Sequence, residues 1–258
     1  AKRKKKWPTE TKQIDLIMHQ DNIIETKNMV KKFGEFKAND RLTFSVRKGE
    51  IFGFLGANGA GKTTAIRILC GLSTPTSGEI SVAGYNVYKE TEKIKKRIGY
   101  MSQKFSLYED LTVKENFRFY GGIYGLSRRK ISQRTEYLLK KLNFSHASKY
   151  KIAEIPLGWK QKLAFSIAMM HKPDMVFLDE PTSGVDPITR RHFRKMIYET
   201  AESGVTVFVT THYMDEAEYC DRVSIMERGR IEELDTPANL KDKYGANNMN
   251  EVFVKIAR

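Results

Sequence analysis

Apolar and polar positions alternate in a few stretches of this chain and run together in others, and the contrast predicts an α/β fold. Asn22 to Val30 reads as a strand, and Arg41-Leu42-Thr43-Phe44-Ser45-Val46 alternates at period two, as a half-buried strand does. Ile51-Phe52-Gly53-Phe54-Leu55 is apolar almost throughout. So are Met175-Val176-Phe177-Leu178 and Val205-Thr206-Val207-Phe208-Val209, the pattern of parallel strands buried on both faces. Glu79–Ala83, Ile98–Met101, Val223–Met226 and Arg230–Leu234 add shorter strands, the last two flanking an Arg228-Gly229 turn. Helical periodicity appears near Glu90–Arg97 and over Ile188–Glu202, the latter placed as a crossover between two buried strands. A short helix and a strand are expected to close the chain.

Between about residues 111 and 172 the strand signals stop. Thr112–Tyr120, Arg129–Leu142 and Trp159–Met170 carry helical spacing instead, which predicts a helical subdomain inserted in the α/β core. The expected class is therefore a mostly parallel sheet, an N-terminal antiparallel β subdomain and an inserted helical subdomain. In this division residues 1–20 form a basic, disordered arm and residues 21–258 the domain.

The 258 residues suffice for one such domain. No apolar run approaches the ~18 residues of a membrane span, and Leu16-Ile17-Met18 is too short for a signal-peptide core. Cys70 and Cys220 lie in apolar-periodic contexts without CxxC spacing and read as small buried hydrophobes of a reducing compartment. The net charge is +14, of which +4 falls in residues 1–20. Lys2-Arg3-Lys4-Lys5-Lys6 heads this arm, and Met18 also fits a start. A basic surface suits nucleic acid or an anionic membrane equally well, so charge alone chooses neither.

Chemistry enters at Gly56-Ala57-Asn58-Gly59-Ala60-Gly61-Lys62-Thr63-Thr64, which follows a buried strand and opens a helical pattern. This is the G-x-x-x-x-G-K-[ST] phosphate loop in its required context. Glycines let backbone N–H groups turn inward around a phosphate chain, and the new helix aims its positive end at the same anion. Lys62 is suited to the β/γ-phosphates and the Thr63 hydroxyl to Mg²⁺. Farther on, Asp179 and Glu180 end a buried strand, where Asp179 suits metal binding and Glu180 the orientation or deprotonation of an attacking water. His212 and Gln103 also stand just past strands; His212 can face a γ-phosphate, and Gln103 offers an amide carbonyl to Mg²⁺ or water. Phe33, in a basic, aromatic turn, could stack on adenine or pack in a core. His19, His146, His171 and His192 read as structural.

Taken together, these stretches resemble the ATP-binding subunit of ABC transporters over about residues 22–256. The resemblance makes Phe33 the A-loop aromatic, Gly56–Thr63 the Walker A loop, Gln103 the Q-loop glutamine, Asp179 the Walker B aspartate and Glu180 the catalytic glutamate. Ser183-Gly184-Val185-Asp186 is similar to the D-loop, with Asp186 its carboxylate, and His212 to the switch histidine. One element departs. Where the family has Leu-Ser-Gly-Gly-Gln, this chain has Ile155-Pro156-Leu157-Gly158-Trp159, so a Ser hydroxyl that touches the opposite subunit's γ-phosphate is replaced by Pro156. Gly158 and a helix N-terminus remain to face phosphate.

The resemblance implies ATP and Mg²⁺ as cofactors and a dimer of ATPase subunits, homo- or heteromeric, closing on two ATPs. It also implies separate integral membrane subunits contacted through Lys104–Tyr124, and a cytoplasmic chain held peripherally on the inner face of the membrane. Leu111–Asn116, Tyr120–Leu126 and Gly158–Gln161 are most similar to the exporter branch that moves drugs, lipids or polysaccharides, by analogy alone. Two alternatives stand beside this. A non-transport ABC ATPase acting on ribosomes or DNA would suit the charge, but it would need a tandem domain or a coiled-coil insertion with sustained heptads, which this sequence lacks. A weakly hydrolysing regulatory subunit would suit the altered signature, while Glu180 and His212 argue against it.

Overall fold

A computed structural model describes residues 22–103 and 107–256. The basic arm predicted over residues 1–20 lies outside the described residues. Two sheets organise the chain. The first is antiparallel, formed by β1 (Asn22–Phe33), β2 (Phe36–Arg47), β4 (Ser77–Val82) and β5 (Tyr85–Asn86) in the order β2-β1-β4-β5. In β2 the alternation holds, with Leu42, Phe44 and Val46 turned inward.

The second sheet has the order β10-β9-β3-β8-β7-β6. Its members are β3 (Ile51–Gly56), β6 (Ile98–Met101), β7 (Met175–Asp179), β8 (Thr206–Thr211), β9 (Arg222–Glu227) and β10 (Arg230–Asp235). Every pairing in it is parallel except the β9–β10 hairpin at one edge. β3, β7 and β8 are buried along their whole lengths, as their continuous apolar runs predict. Between the two sheets Phe44, Phe52, Phe54, Phe177 and Phe208 form one aromatic cluster, with neighbouring centroids 5.2–5.8 Å apart.

Helix α1 (Lys62–Leu69) leaves β3 directly and buries Ala65, Ile66, Ile68 and Leu69 in that same core. α2 (Thr91–Arg97) precedes β6. Between β6 and β7 come α3 (Val113–Ile123), α4 (Arg128–Lys141) and α5 (Leu157–Ala168), which share an apolar cluster of their own around Phe117, Leu139, Ile152 and Leu163. Thr112 caps α3 in a reciprocal box with Glu115, as its sequence pattern favours. α6 (Pro187–Glu202) packs Phe193 against the far face of the main sheet.

Two expectations are corrected. α5 begins at Leu157 instead of Trp159, because Pro156 takes the N-cap position and its fixed φ of −59° suits entry into a helix. After α7 (Met214–Ala217) and α8 (Pro237–Tyr244), the chain closes on a helix, α9 (Met249–Ile256), and not on the expected strand. Val252, Val254 and Ile256 alternate like a strand, but Met249, Val252, Phe253 and Ile256 share a helical face that packs on the core. The Asn248 side chain accepts the Glu251 N–H and helps start this helix.

Candidate functional site

The site is built at the C-terminal ends of β3, β6, β7 and β8, which the parallel pairing brings side by side. β3 ends at Gly56 and the loop turns into α1 through Gly61, whose φ is +101°. A Cβ at Gly61 would lie 2.2 Å from the Ala38 carbonyl oxygen, so conformation and space both require glycine here. Lys62 opens α1 and curls back over the loop: its Nζ donates to the carbonyls of Gly56 at 2.8 Å and Ala57 at 3.0 Å. It is almost fully buried, and burial draws its pKa below the usual lysine value.

Asp179, the last residue of β7, is 1% exposed. Its Oδ1 accepts the Thr210 hydroxyl at 2.7 Å and the Thr63 hydroxyl at 3.3 Å, while its Oδ2 is buried without a hydrogen-bond partner. Burial raises the Asp179 pKa above the usual carboxylate value, and the two hydroxyl donors oppose that shift. Glu180 follows with φ +49°, a left-handed conformation that non-glycine residues rarely adopt and that is held in place here by its surroundings. Its N–H donates to both the carbonyl and the hydroxyl of Thr210, at 3.2 and 3.0 Å.

The turned backbone delivers the Glu180 carboxylate to a point where three of the sequence-selected residues meet. Gln103 Nε2 donates to Glu180 Oε2 at 2.8 Å, and His212 Nδ1 stands 3.2 Å from the same oxygen. Lys62 Nζ stands 3.5 Å from Oε1. Four elements far apart in sequence thus supply one constellation, with the carboxylate and ammonium buried and the amide and imidazole at its open side. It can hold a phosphate chain at the loop and orient a water beside Glu180.

Phe33 ends β1 and is 56% exposed, which removes the core-packing alternative; Lys31 Nζ lies 5.0 Å from its ring centroid. Asp186 caps α6, accepting the backbone N–H groups of Ile188 and Thr189 and the Thr189 hydroxyl; these donors, the hydroxyl first, lower its pKa. In the signature-like segment the side chains divide. Ile155 is buried in the helical cluster, and Trp159 stacks on Phe144 with centroids 4.2 Å apart. Pro156 and Leu157 face outward. Gly158 packs so close to α6 that a Cβ would lie 2.7 Å from Thr189 Cγ2, and buried Gln161 donates to the Ser183 carbonyl at 3.2 Å. The segment and the Ser183–Asp186 loop are therefore one packed unit.

The sequence reading missed Thr210, which holds the Asp179 carboxylate and the Glu180 backbone N–H, and the Thr182 hydroxyl that donates to Glu216 beside Arg190. Thr210 lies in an apolar run where a threonine looks like any β-branched strand residue, so only the pairing of β7 with β8 reveals it. Of the remaining histidines in the described residues, His171 stacks on Tyr124 at 3.9 Å, His146 packs edge-on against Phe144, and His192 is exposed on α6. Cys70 and Cys220 are both buried free thiols.

A glycine loop closing a central parallel strand, with a carboxylate pair at the end of a nearby strand, defines a P-loop nucleoside triphosphatase. The ABC transporter family model matches residues 39–183, and the chain belongs to that family as one of its ATP-hydrolysing domains. It is 48% identical over 245 residues to the probable multidrug ABC transporter ATP-binding protein YbhF of Escherichia coli, covering 92% of this chain and 42% of that protein. The chain thus spans less than half of that relative's length. Over 233 residues it is 37% identical to the linearmycin resistance ATP-binding protein LnrL of Bacillus subtilis, covering 90% and 75% of the two chains. Among solved structures, an ATP-binding subunit of an ABC transporter superposes with a TM-score of 0.82 at 28% identity, covering 92% of this chain and all of that one. A dimeric ATP-binding cassette in a post-hydrolysis state with ADP and Pi superposes at 0.75 and 26% identity, covering 83% and 98%.

Proposed function

We propose that this chain closes on ATP against a second ATPase subunit, homo- or heteromeric, and that the cycle of closing and reopening drives a membrane-embedded partner. The cargo class is drugs, lipids or polysaccharides moved outward, and the multidrug and linearmycin-resistance names of YbhF and LnrL favour the first of these. The observation that carries the reading is the reach of β6. Gln103, just past its end, bonds Glu180, while Tyr100 and Met101 within it line a cavity of about 490 Å³. Leu72, Leu107, Tyr120 and Ile123 complete an apolar wall there, suited to a segment of the membrane subunit. Such a segment would press on the strand that leads to Gln103, the donor to the Glu180 carboxylate. No helix among the described residues is long and apolar enough to cross a membrane, so attachment to the inner face would come through that partner.

Within the site, Gly56–Thr64 would cradle the phosphates, Lys62 would pair with the β/γ-phosphates and Phe33 would stack on adenine. Thr63, Asp179 and Gln103 would hold Mg²⁺, and the unpartnered buried Oδ2 of Asp179 fits that use. The ion supplies neutralisation of phosphate charge when bound. Glu180 would orient the attacking water and accept its proton, and His212, already beside Glu180, would bridge the nucleophile and the γ-phosphate. Pro156, Leu157 and Asp186 would face the second subunit, with the outward Pro156 and Leu157 taking the place of the family's Ser and Gly while Ile155 and Trp159 anchor the segment in the helical cluster.

Co-purification from membranes tests the proposal. A polytopic membrane protein retained through detergent extraction is the expected result. Recovery with ribosomal RNA and without a membrane protein would overturn it in favour of a ribosome-directed ATPase.

A further inference from the structure

A P-loop holds phosphate by turning backbone N–H groups inward, and in a trans peptide the preceding carbonyl then points the opposite way. Those outward carbonyls need donors of their own. No cis peptide occurs among the described residues, so the rule applies to the Ala60–Gly61 and Gly61–Lys62 units. The Gly61 carbonyl receives Asn39 Nδ2 at 3.1 Å and the Ala65 N–H at 3.0 Å. The Ala60 carbonyl receives the N–H of Gly229, in the β9–β10 turn, at 3.1 Å.

Gly229 is itself gripped from the other sheet. Its carbonyl accepts the Asp40 N–H at 2.7 Å, and the Asp40 carboxylate takes two bonds from Arg230, from Nε at 3.0 Å and Nη2 at 2.7 Å. One residue of β2 therefore holds two consecutive residues of the turn, one by backbone and one by side chain. Lys37 and Arg41 stand 3.5 Å from the same carboxylate, whose side chain is 6% exposed. A Cβ at Gly229 would lie 2.9 Å from the Ala38 carbonyl oxygen, so this approach leaves no room for a side chain. β2 and the β9–β10 hairpin belong to different sheets, so no strand pairing fixes one against the other.

We propose that Asp40 and Arg230, acting through Gly229, are positioning residues for nucleotide binding: they hold the Ala60 carbonyl outward and so aim the Gly61 N–H at the phosphate chain. The inference rests on phosphate binding by the loop and is independent of the transport reading. Failure to recover a membrane partner leaves it standing, whereas a wild-type chain that bound neither probe below would defeat the P-loop assignment itself.

The test is calorimetric binding of ATP and of inorganic tripolyphosphate to the full chain, with thermal melting of the ligand-free protein. Asp40→Asn and Arg230→Met are expected to weaken both ligands by the same factor, about tenfold. Phe33→Ala, on the adenine side, is expected to weaken ATP alone. Arg230→Lys, which keeps the charge and loses the paired geometry, is expected to fall between wild type and Arg230→Met. The Arg230 side chain is 56% exposed, so ligand-free melting is expected to move little. Unchanged affinity for both ligands overturns the proposal, and so does a loss confined to ATP. Should Asp40→Asn fail to fold, the ratio measured on Arg230→Lys decides in the same way.

Discussion

Thr210 donates its hydroxyl to Asp179 at 2.7 Å and receives on the same oxygen the N–H of Glu180 at 3.0 Å. One buried side chain on β8 thus fixes a charged residue and the strained backbone that follows it. Thr210→Val keeps the shape and removes both hydrogen bonds, leaving Asp179 Oδ1 with the longer Thr63 bond. It is expected to cost ~2 kcal/mol in denaturant unfolding, with Thr210→Ser close to wild type. Turnover is expected to fall more than ATP affinity, because the Thr210 hydroxyl serves Asp179 and the Glu180 backbone and not the glycine loop.

Glu180→Gln keeps a side chain that Gln103 and His212 can still approach, but it cannot take a proton. Steady-state ATP hydrolysis is expected to drop by about 10²- to 10⁴-fold, and gel filtration with ATP is expected to show a trapped dimer. An unchanged turnover number would remove Glu180 from the role of base.

Gly61→Ala places a methyl 2.2 Å from a backbone oxygen at φ +101°. The Asn39 amide at 2.8 Å could swing aside, but the Ala38 backbone oxygen cannot. Loss of measurable ATP binding is expected in equilibrium titration, with stability reduced by ~2 kcal/mol or more.

His171 gives a pH dependence. Its Nε2 lies 2.9 Å from the Ile98 carbonyl and must be the protonated nitrogen, while Nδ1 is buried without a partner. Burial depresses its pKa below the usual histidine value. A histidine with a depressed folded-state pKa contributes stability above its unfolded pKa near 6.5, and that contribution is lost as pH falls through the folded value. Wild type is therefore expected to lose more melting temperature than His171→Phe between pH 7.5 and pH 5. Parallel curves for the two proteins would show that His171 does not set the acid limb.

Pro156→Ser with Leu157→Gly restores the family residues on a helix start whose backbone is already in place. The double variant is expected to change ATPase rate and ATP-driven dimerisation, read by phosphate release and gel filtration. If both remain at wild-type values, the departure has no functional weight.

Most of the constellation was legible because its motifs are local: a glycine loop must follow a strand, and Asp179-Glu180 and His212 end continuous apolar runs. Asn39, Asp40 and Arg230 were not legible, because their partners are set by how two separate sheets meet, and nothing in a short window records that. The closing helix was misread for a related reason. Val252 and Val254 satisfy a strand's alternation locally, and only the core beneath Met249 and Val252 selects the helical face. The Trp159 ring, expected at a subunit interface, turns into the helical cluster, where its stacking on Phe144 could not be inferred from spacing.

Glu180 is the common acceptor for Lys62, Gln103 and His212, and this makes the genetics of the site conditional. Substitutions at Gln103 or His212 that act by steering this carboxylate have nothing left to steer once Glu180 is replaced, so their defects should be masked in that background. A defect of a Gln103 or His212 variant that persists in that background instead reports the proposed work of the amide toward Mg²⁺ and of the imidazole toward the γ-phosphate.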